Sequence, residues 1–198
     1  MQPSKKAEPG ESVLLDYTSP DGPALTHVRG TLVVNSIESL RQLGVLPRYE
    51  SLLSPALREQ LLFALAASWL PVESVLEHYR ACDALQLSDE QTKRSGELVA
   101  ARNAHTLLGA AMRLARRNTG VDSYVLVMSR LDTLLARLYR EGRCLVTRTG
   151  PKDLRLESHG LVLAESQYFR AAYYAYNLAT AKLFCNVAYV KPTRPREP

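Results

Sequence analysis

Residues 143–157 read RCLVTRTGPKDLRLE, and here the hydrophobic period of the chain changes from about 3.6 residues to 2. Residues 143–148 have the composition of a strand, and apolar and polar side chains alternate over residues 154–157, so two strands are predicted. The Gly-Pro-Lys-Asp segment between them predicts a turn, because Pro fixes φ and Gly tolerates positive φ. We therefore expect a pair of neighbouring strands at this point.

Outward from this pair, residues 165–184 are rich in Ala and Tyr and predict a helix, and residues 186–191 alternate like a short strand. The segment before residue 143 shows mainly helical spacing. The sequence therefore predicts an α+β fold. Its front two-thirds are mostly helical, and its end is a β-β-α-β unit with an antiparallel sheet.

Three local signals predict where the earlier helices begin. Asn35 with Glu38 resembles a capping box, and Ser88 with Gln91 is a stronger one. Ser54 precedes Pro55, a residue tolerated at the first helical position. We expect the helix after Pro55 to bury a leucine stripe formed by Leu57, Leu61, Leu62 and Leu65.

Two long helices should follow, one from the Ser88 cap to about Arg117 and one over residues 123–141. Their apolar spacing predicts that they pack together, and Gly142 is a suitable stop for the second helix. Near the N-terminus, residues 13–17 and 27–34 have the composition of strands around a Pro/Gly turn, which predicts a hairpin. Whether that hairpin joins the late sheet is left open by the sequence.

The bulk properties describe one ordinary domain. The chain has 198 residues, of which 46% are hydrophobic and 23% are charged, and this length is enough for one core. We expect disordered tails at 1–12 and 192–198 around a single domain at 13–191. No apolar run is long enough for a membrane span, and three widely spaced cysteines predict reduced thiols and a cytoplasmic location.

Catalytic and metal-binding signatures are absent from the sequence. It contains no Gly-rich phosphate loop, nucleophile elbow, HExxH or CxxC motif, so we expect no enzyme, metal or cofactor. His105 is the histidine best placed for hidden chemistry, because it lies in an apolar helical stripe with Leu108 and Met112. A core histidine bonded to a carbonyl is the alternative for His105, and His159 lies in a predicted loop.

The late helix places Tyr168, Tyr173 and Tyr176 among several alanines. Tyr combines an apolar body with a polar tip, and small residues allow another element to approach closely. Three interpretations remain open: packing on the sheet, a homodimer seam, and the lining of an apolar ligand pocket.

The net charge of +5 is unevenly distributed, since the second half of the chain is basic and the first half is acidic. Many arginines lie between residues 102 and 148, and such a concentration suits an anionic partner. The candidate anion-binding residues are Arg113, Arg116, Arg117, Arg137 and Arg140. Nucleic acid is one such partner, although helices of this length do not match a helix-turn-helix.

Two short segments resemble a known family when taken together: residues 28–31 (VRGT), which lead into the Asn35 helix, and residues 69–73 (WLPVE), which open another. With the two long helices and the β-β-α-β end, they are similar to an uncharacterised paralogous family typical of myxobacteria, over about residues 28–190. The same order of elements resembles a superfamily that contains 4-vinyl reductase domains, haem nitric-oxide binding domains and TRAPP tethering subunits.

The superfamily resemblance implies an α+β fold with a pocket between helices and sheet, and it implies ligand sensing or protein assembly. The Tyr-x-Ser-x-Arg motif of the haem branch is missing, because Tyr124 and Ser129 have the wrong spacing. The cysteine cluster of many 4-vinyl reductase domains is missing too, so we expect no haem. Likeness of fold does not by itself transfer a function.

The sequence therefore predicts a non-enzymatic regulatory or adaptor domain that forms a homodimer. It would bind a small apolar ligand or a partner protein where helix and sheet meet. The alternative is binding of nucleic acid or another anionic surface through the Arg-rich helices of residues 102–148.

Overall fold

The α+β class predicted from the sequence is confirmed by a computed structural model, which describes residues 11–19, 23–104, 110, 114, 136–183 and 188–192. One sheet has four strands in the order β5-β6-β1-β7. These strands are β1 (Glu11–Ser19), β5 (Arg143–Arg148), β6 (Asp153–His159) and β7 (Ala188–Pro192).

This sheet is mixed, so the prediction of an antiparallel unit is only partly right. The predicted β5–β6 pair is antiparallel around its turn, with Cys144 opposite Ser158. The first strand, β1, lies between β6 and β7 and runs parallel to both. A hairpin joins strands in an antiparallel sense, whereas β1 reaches its partners through most of the chain. The strand begins at Glu11, inside the predicted N-terminal tail, and β7 extends to Pro192.

The second sheet is a small antiparallel one in the order β3-β2-β4. Its strands are β2 (His27–Arg29), β3 (Trp69–Pro71) and β4 (Tyr139–Arg140). The predicted N-terminal hairpin is therefore wrong, since its two arms belong to different sheets. Strand β4 also overturns the helix predicted to reach Glu141. Glu141 and Gly142 both have a φ of 58°, which turns the chain from β4 into β5.

The helices are α1 (Gly30–Gln42), α2 (Leu46–Ser51), α3 (Pro55–Leu62), α4 (Val72–Ala84), α5 (Asp89–Ala104) and α6 (Gln167–Lys182), with a 3-10 turn at Val162–Glu165. The cap at Ser88 is confirmed, because its hydroxyl accepts from the amide of Gln91 at 3.2 Å and its own amide donates to the Gln91 side chain at 3.1 Å. The predicted start at Pro55 is confirmed as well, and the Ser54 hydroxyl caps this helix by accepting from the amide of Leu57.

Helix α1 begins at Gly30, so the predicted cap at Asn35 is wrong. Asn35 lies inside the helix, where its amide donates to the side chain of Asn103 at 3.0 Å. The first amides of α1 have other partners: Gly30 donates to the carbonyl of Ser68 and Thr31 to that of Ala66, at 2.8 and 2.9 Å. A distant loop therefore caps this helix, because its carbonyls accept the hydrogen bonds that a local side chain usually accepts.

The core lies between the small sheet and helices α1, α2, α4 and the start of α6. Helices α5 and α6 approach very closely, because Gly96 faces the backbone of Ala172 and the side chain of Ala175. A Cβ atom on Gly96 would lie 2.1 Å from the carbonyl oxygen of Ala172. The small residues predicted to allow close approach do so here.

Candidate functional site

An apolar loop at residues 63–67 (FALAA) carries the two most exposed large apolar side chains of the described residues. The exposed fractions are 79% for Phe63 and 73% for Leu65, and the neighbouring Ala66 and Ala67 are exposed as well. The leucine stripe predicted for this region is therefore wrong at Leu65, because α3 ends at Leu62 and the helical spacing ends with it. A run of consecutive exposed apolar residues is unfavourable in water unless it serves a function.

The backbone of this loop is fixed by the rest of the fold. The carbonyls of Ala66 and Ser68 accept the first amides of α1, and the carbonyl of Leu65 accepts the Ser68 hydroxyl at 2.7 Å. A Cβ atom on Gly30 would lie 2.2 Å from the Leu65 carbonyl oxygen, so the loop rests directly against α1. Phe63 and Leu65 are thus displayed from a pinned backbone.

Beside the loop lies a cationic cluster, which we define as Arg29, Trp69 and Arg140. Arg29 pairs with Trp69 across β2 and β3, and Arg140 is on β4 at the other side of β2. The guanidinium carbons of Arg29 and Arg140 lie 4.9 and 4.6 Å from the centroid of the indole ring. Both guanidiniums interact favourably with the π-system, although they repel each other.

A buried polar network joins the helices beneath this surface. His78 is fully buried, with Nδ1 2.6 Å from the Tyr49 hydroxyl and Nε2 2.9 Å from the Ser36 hydroxyl. The hydroxyls of Ser39 and Ser95 lie 2.6 Å apart. The chain ends at the Tyr168 hydroxyl, which is 2.6 Å from that of Ser95.

The hydrogen bonds from Tyr168 through Ser95 to Ser39 have a definite direction. The Ser39 hydroxyl donates to the carbonyl of Ser36 at 2.6 Å, so it accepts from Ser95, which in turn accepts from Tyr168. Burial lowers the pKa of His78 to about 3, so its ring is neutral near pH 7. Burial also raises the pKa of Tyr168 to about 12. The network is neutral and sealed, and it connects helices rather than offering a reactive group to solvent.

Cys82 belongs to the same interior. Its sulfur lies 3.8 Å from His78 Nε2, and burial raises the pKa of its thiol. A protonated, enclosed thiol is a poor nucleophile, so this histidine–cysteine pair has the wrong environment for covalent catalysis.

The junction of α6 with the two sheets holds a small cavity of about 10 Å³. Its lining includes Leu25, Tyr139, Cys144, His159 and Tyr173. This volume accommodates about one water molecule, whereas ligand sites typically measure several hundred Å³. Since His105, Leu108 and Met112 lie outside the described residues, the predicted helix–sheet pocket stays a prediction.

The predicted tyrosines pack inside the fold. Tyr168 is buried in the polar network, and Tyr173 stacks between Phe169 and Tyr176 at ring distances of 5.5 and 6.3 Å. The Tyr176 hydroxyl accepts from Asn103 on α5 at 3.2 Å. Every residue of α6 from Tyr168 to Ala181 is buried or half-buried. These contacts fit the core-packing interpretation, while the homodimer seam and the lining of a ligand pocket stay predictions.

Several predicted site residues lie outside the described residues, namely His105, Leu108, Met112, Arg113, Arg116 and Arg117. Among the other basic candidates, Arg137 is exposed in the turn before β4, and Arg140 lies over Trp69. Two further arginines of this region have internal partners. Arg102 pairs with Glu38 at 3.7 Å, and Arg148 donates to the carbonyls of Gly150 and Pro151.

No protein-family model matches the chain, and no curated protein or solved structure is significantly similar to it. The resemblance to the 4-vinyl reductase and haem-binding superfamily therefore stays a prediction. Among the helices that the structure describes, none is long and apolar enough to cross a membrane. Within the same residues, no three His, Cys, Asp or Glu side chains form a group that would hold a metal ion.

Proposed function

We propose that this protein is a non-catalytic adaptor domain that binds a partner protein through the apolar loop of residues 63–67. The observation that carries the proposal is the high exposure of Phe63 and Leu65 on a backbone pinned to α1. Rigid display lowers the entropy that is lost on binding. Exposed aromatic and aliphatic anchors of this kind are typical of protein interfaces.

A partner protein is favoured over an apolar small molecule for two reasons. The cavity where α6 meets the sheets is about 10 Å³, and the buried polar network is sealed. Among the large apolar side chains that the structure describes, Phe63 and Leu65 on the loop are the most exposed. The buried Cys82 thiol and the odd cysteine number support a reducing, cytoplasmic setting for this role.

Replacing both anchors with serine should abolish partner binding without unfolding the protein. We expect the Phe63→Ser, Leu65→Ser double variant to lose a partner that the wild type retains in affinity purification from source cells, because the apolar contact area is removed. The lost partner, once purified, should bind the wild type directly in calorimetry. Unfolding in urea should be nearly unchanged, because both side chains are exposed.

The matched control is Leu145→Ser with Leu183→Ser, since these leucines are 46% and 45% exposed and lie outside the loop. A partner lost from both double variants would indicate general surface stickiness. If the loop variant retains every partner of the wild type, the proposed docking surface is wrong.

Moving the loop should weaken binding even when its side chains are intact. Gly30→Ala places a Cβ atom against the Leu65 carbonyl, so the pinned backbone must shift. We expect roughly tenfold weaker binding of the purified partner, provided that circular dichroism shows a folded protein. Unchanged affinity would mean that the position of the loop is unimportant.

A further inference from the structure

The cationic cluster beside the loop indicates the chemistry of the partner, an inference that rests on the proposed docking function. Two guanidiniums share the single indole ring of Trp69. Other arginines of the described chain instead have a glutamate partner within 4 Å, namely Arg41, Arg80, Arg94, Arg102 and Arg155. Within the described residues, no ion pair to a carboxylate is found for Arg29 or Arg140.

An incoming anion would therefore relieve the repulsion between the two guanidiniums instead of breaking an existing ion pair. Guanidinium forms strong charge-assisted hydrogen bonds with carboxylates, and stacking on Trp69 already orders the two side chains. The ordering entropy normally lost on forming a surface ion pair is thus reduced.

The cluster and the loop are adjacent along the backbone. Gly30 directly follows Arg29 and contacts the Leu65 carbonyl, and Ser68, whose carbonyl accepts the Gly30 amide, directly precedes Trp69. A single extended or helical segment can reach both regions, with its apolar side chains on the loop and its carboxylates on the guanidiniums.

The surroundings favour a protein segment over nucleic acid or an anionic membrane. Glu59 is exposed on α3 one helical turn before Phe63, and Glu73 is exposed in the first turn of α4, shortly after Trp69. A uniformly negative surface would meet these carboxylates as well as the arginines. A peptide can place its acidic residues against the arginines alone.

We infer that the loop and the cationic cluster together bind an acidic amphipathic segment of another protein, with Asp or Glu side chains against Arg29 and Arg140. The test is selection of random displayed peptides on the wild-type protein, with counter-selection against the Phe63→Ser, Leu65→Ser variant. We expect the enriched peptides to combine Leu or aromatic residues with Asp and Glu.

The Arg29→Gln, Arg140→Gln variant should bind the enriched peptides at least about tenfold more weakly than the wild type. Raising the salt concentration from about 0.05 to about 0.5 M should weaken binding to the wild type by a similar factor. The control is Arg80→Gln with Arg94→Gln, two exposed arginines on α4 and α5, which should leave the affinity unchanged. Arg140→Gln alone, on an exposed side chain, serves as the second variant if the double variant unfolds.

The outcomes separate the two proposals. If no peptide is enriched in a loop-dependent way, the docking function fails. The inference of an acidic partner alone is overturned if the loop-dependent peptides are neutral or basic. It is also overturned if acidic peptides bind equally well to both arginine variants. The same inference is overturned if the protein binds single-stranded DNA or phosphatidylserine vesicles more strongly than it binds the peptides, and if that binding is lost in the Arg29→Gln, Arg140→Gln variant.

Discussion

Gly96→Ala is expected to destabilise the protein by about 1 to 3 kcal/mol, because the new methyl group would overlap the Ala172 carbonyl where α5 meets α6. Alanine ordinarily stabilises a helix by about 1 kcal/mol relative to glycine, so a loss of stability here reverses the usual sign. The free energy of unfolding in urea measures the effect.

The control for this prediction is Lys93→Ala, which lies on the same helix and is exposed. Its stability should remain within about 0.5 kcal/mol of the wild type. A Gly96→Ala variant as stable as the wild type would show that α5 and α6 separate easily, in conflict with their close backbone contact.

The protein is also expected to lose stability in mild acid through His78. Burial lowers the pKa of this histidine from 6.5 to about 3 in the folded state, so the unfolded chain binds the proton first as the pH falls. Its contribution is fully present above about pH 6.5 and is lost progressively down to about pH 3. The slope is roughly 1.4 kcal/mol per pH unit, which gives about 2 kcal/mol at about pH 5.

Urea unfolding at about pH 7 and pH 5 tests this expectation when the wild type is compared with His78→Gln. The variant keeps a polar side chain but has no imidazole to protonate, so its stability should depend less on pH by about 2 kcal/mol over this interval. Carboxylates contribute equally to both proteins and cancel in the comparison. Equal pH dependence would show that His78 is protonated in the folded protein.

Local rules predicted those elements whose ends are fixed by neighbouring residues. The caps at Ser54 and Ser88, the β5–β6 turn and the late helix all depend on residues a few positions apart. The start of α1 was mispredicted because its first amides are satisfied by carbonyls of Ala66 and Ser68. Propensity and capping signals contain no information about such distant partners.

The candidate site was harder to predict for the same reason. Arg29, Trp69 and Arg140 come together only because β2 pairs with β3 and β4, and nothing in their local sequence indicates that pairing. Sequence reasoning did not single out His78, because its partners lie on α1 and α2. The run at residues 63–67 was the one readable signal, but leucine spacing placed Leu65 in the core.

The position of β1 has a consequence for how the chain acquires its structure during translation. This strand is translated before the other described strands and helices, yet it is inserted between β6 and β7, which are translated much later. Its ladders cannot form until β6 and β7 have emerged, and contacts between residues so far apart in sequence form slowly. Until then a strand with two open edges is exposed to other nascent chains, so this segment is a natural client for a ribosome-associated chaperone.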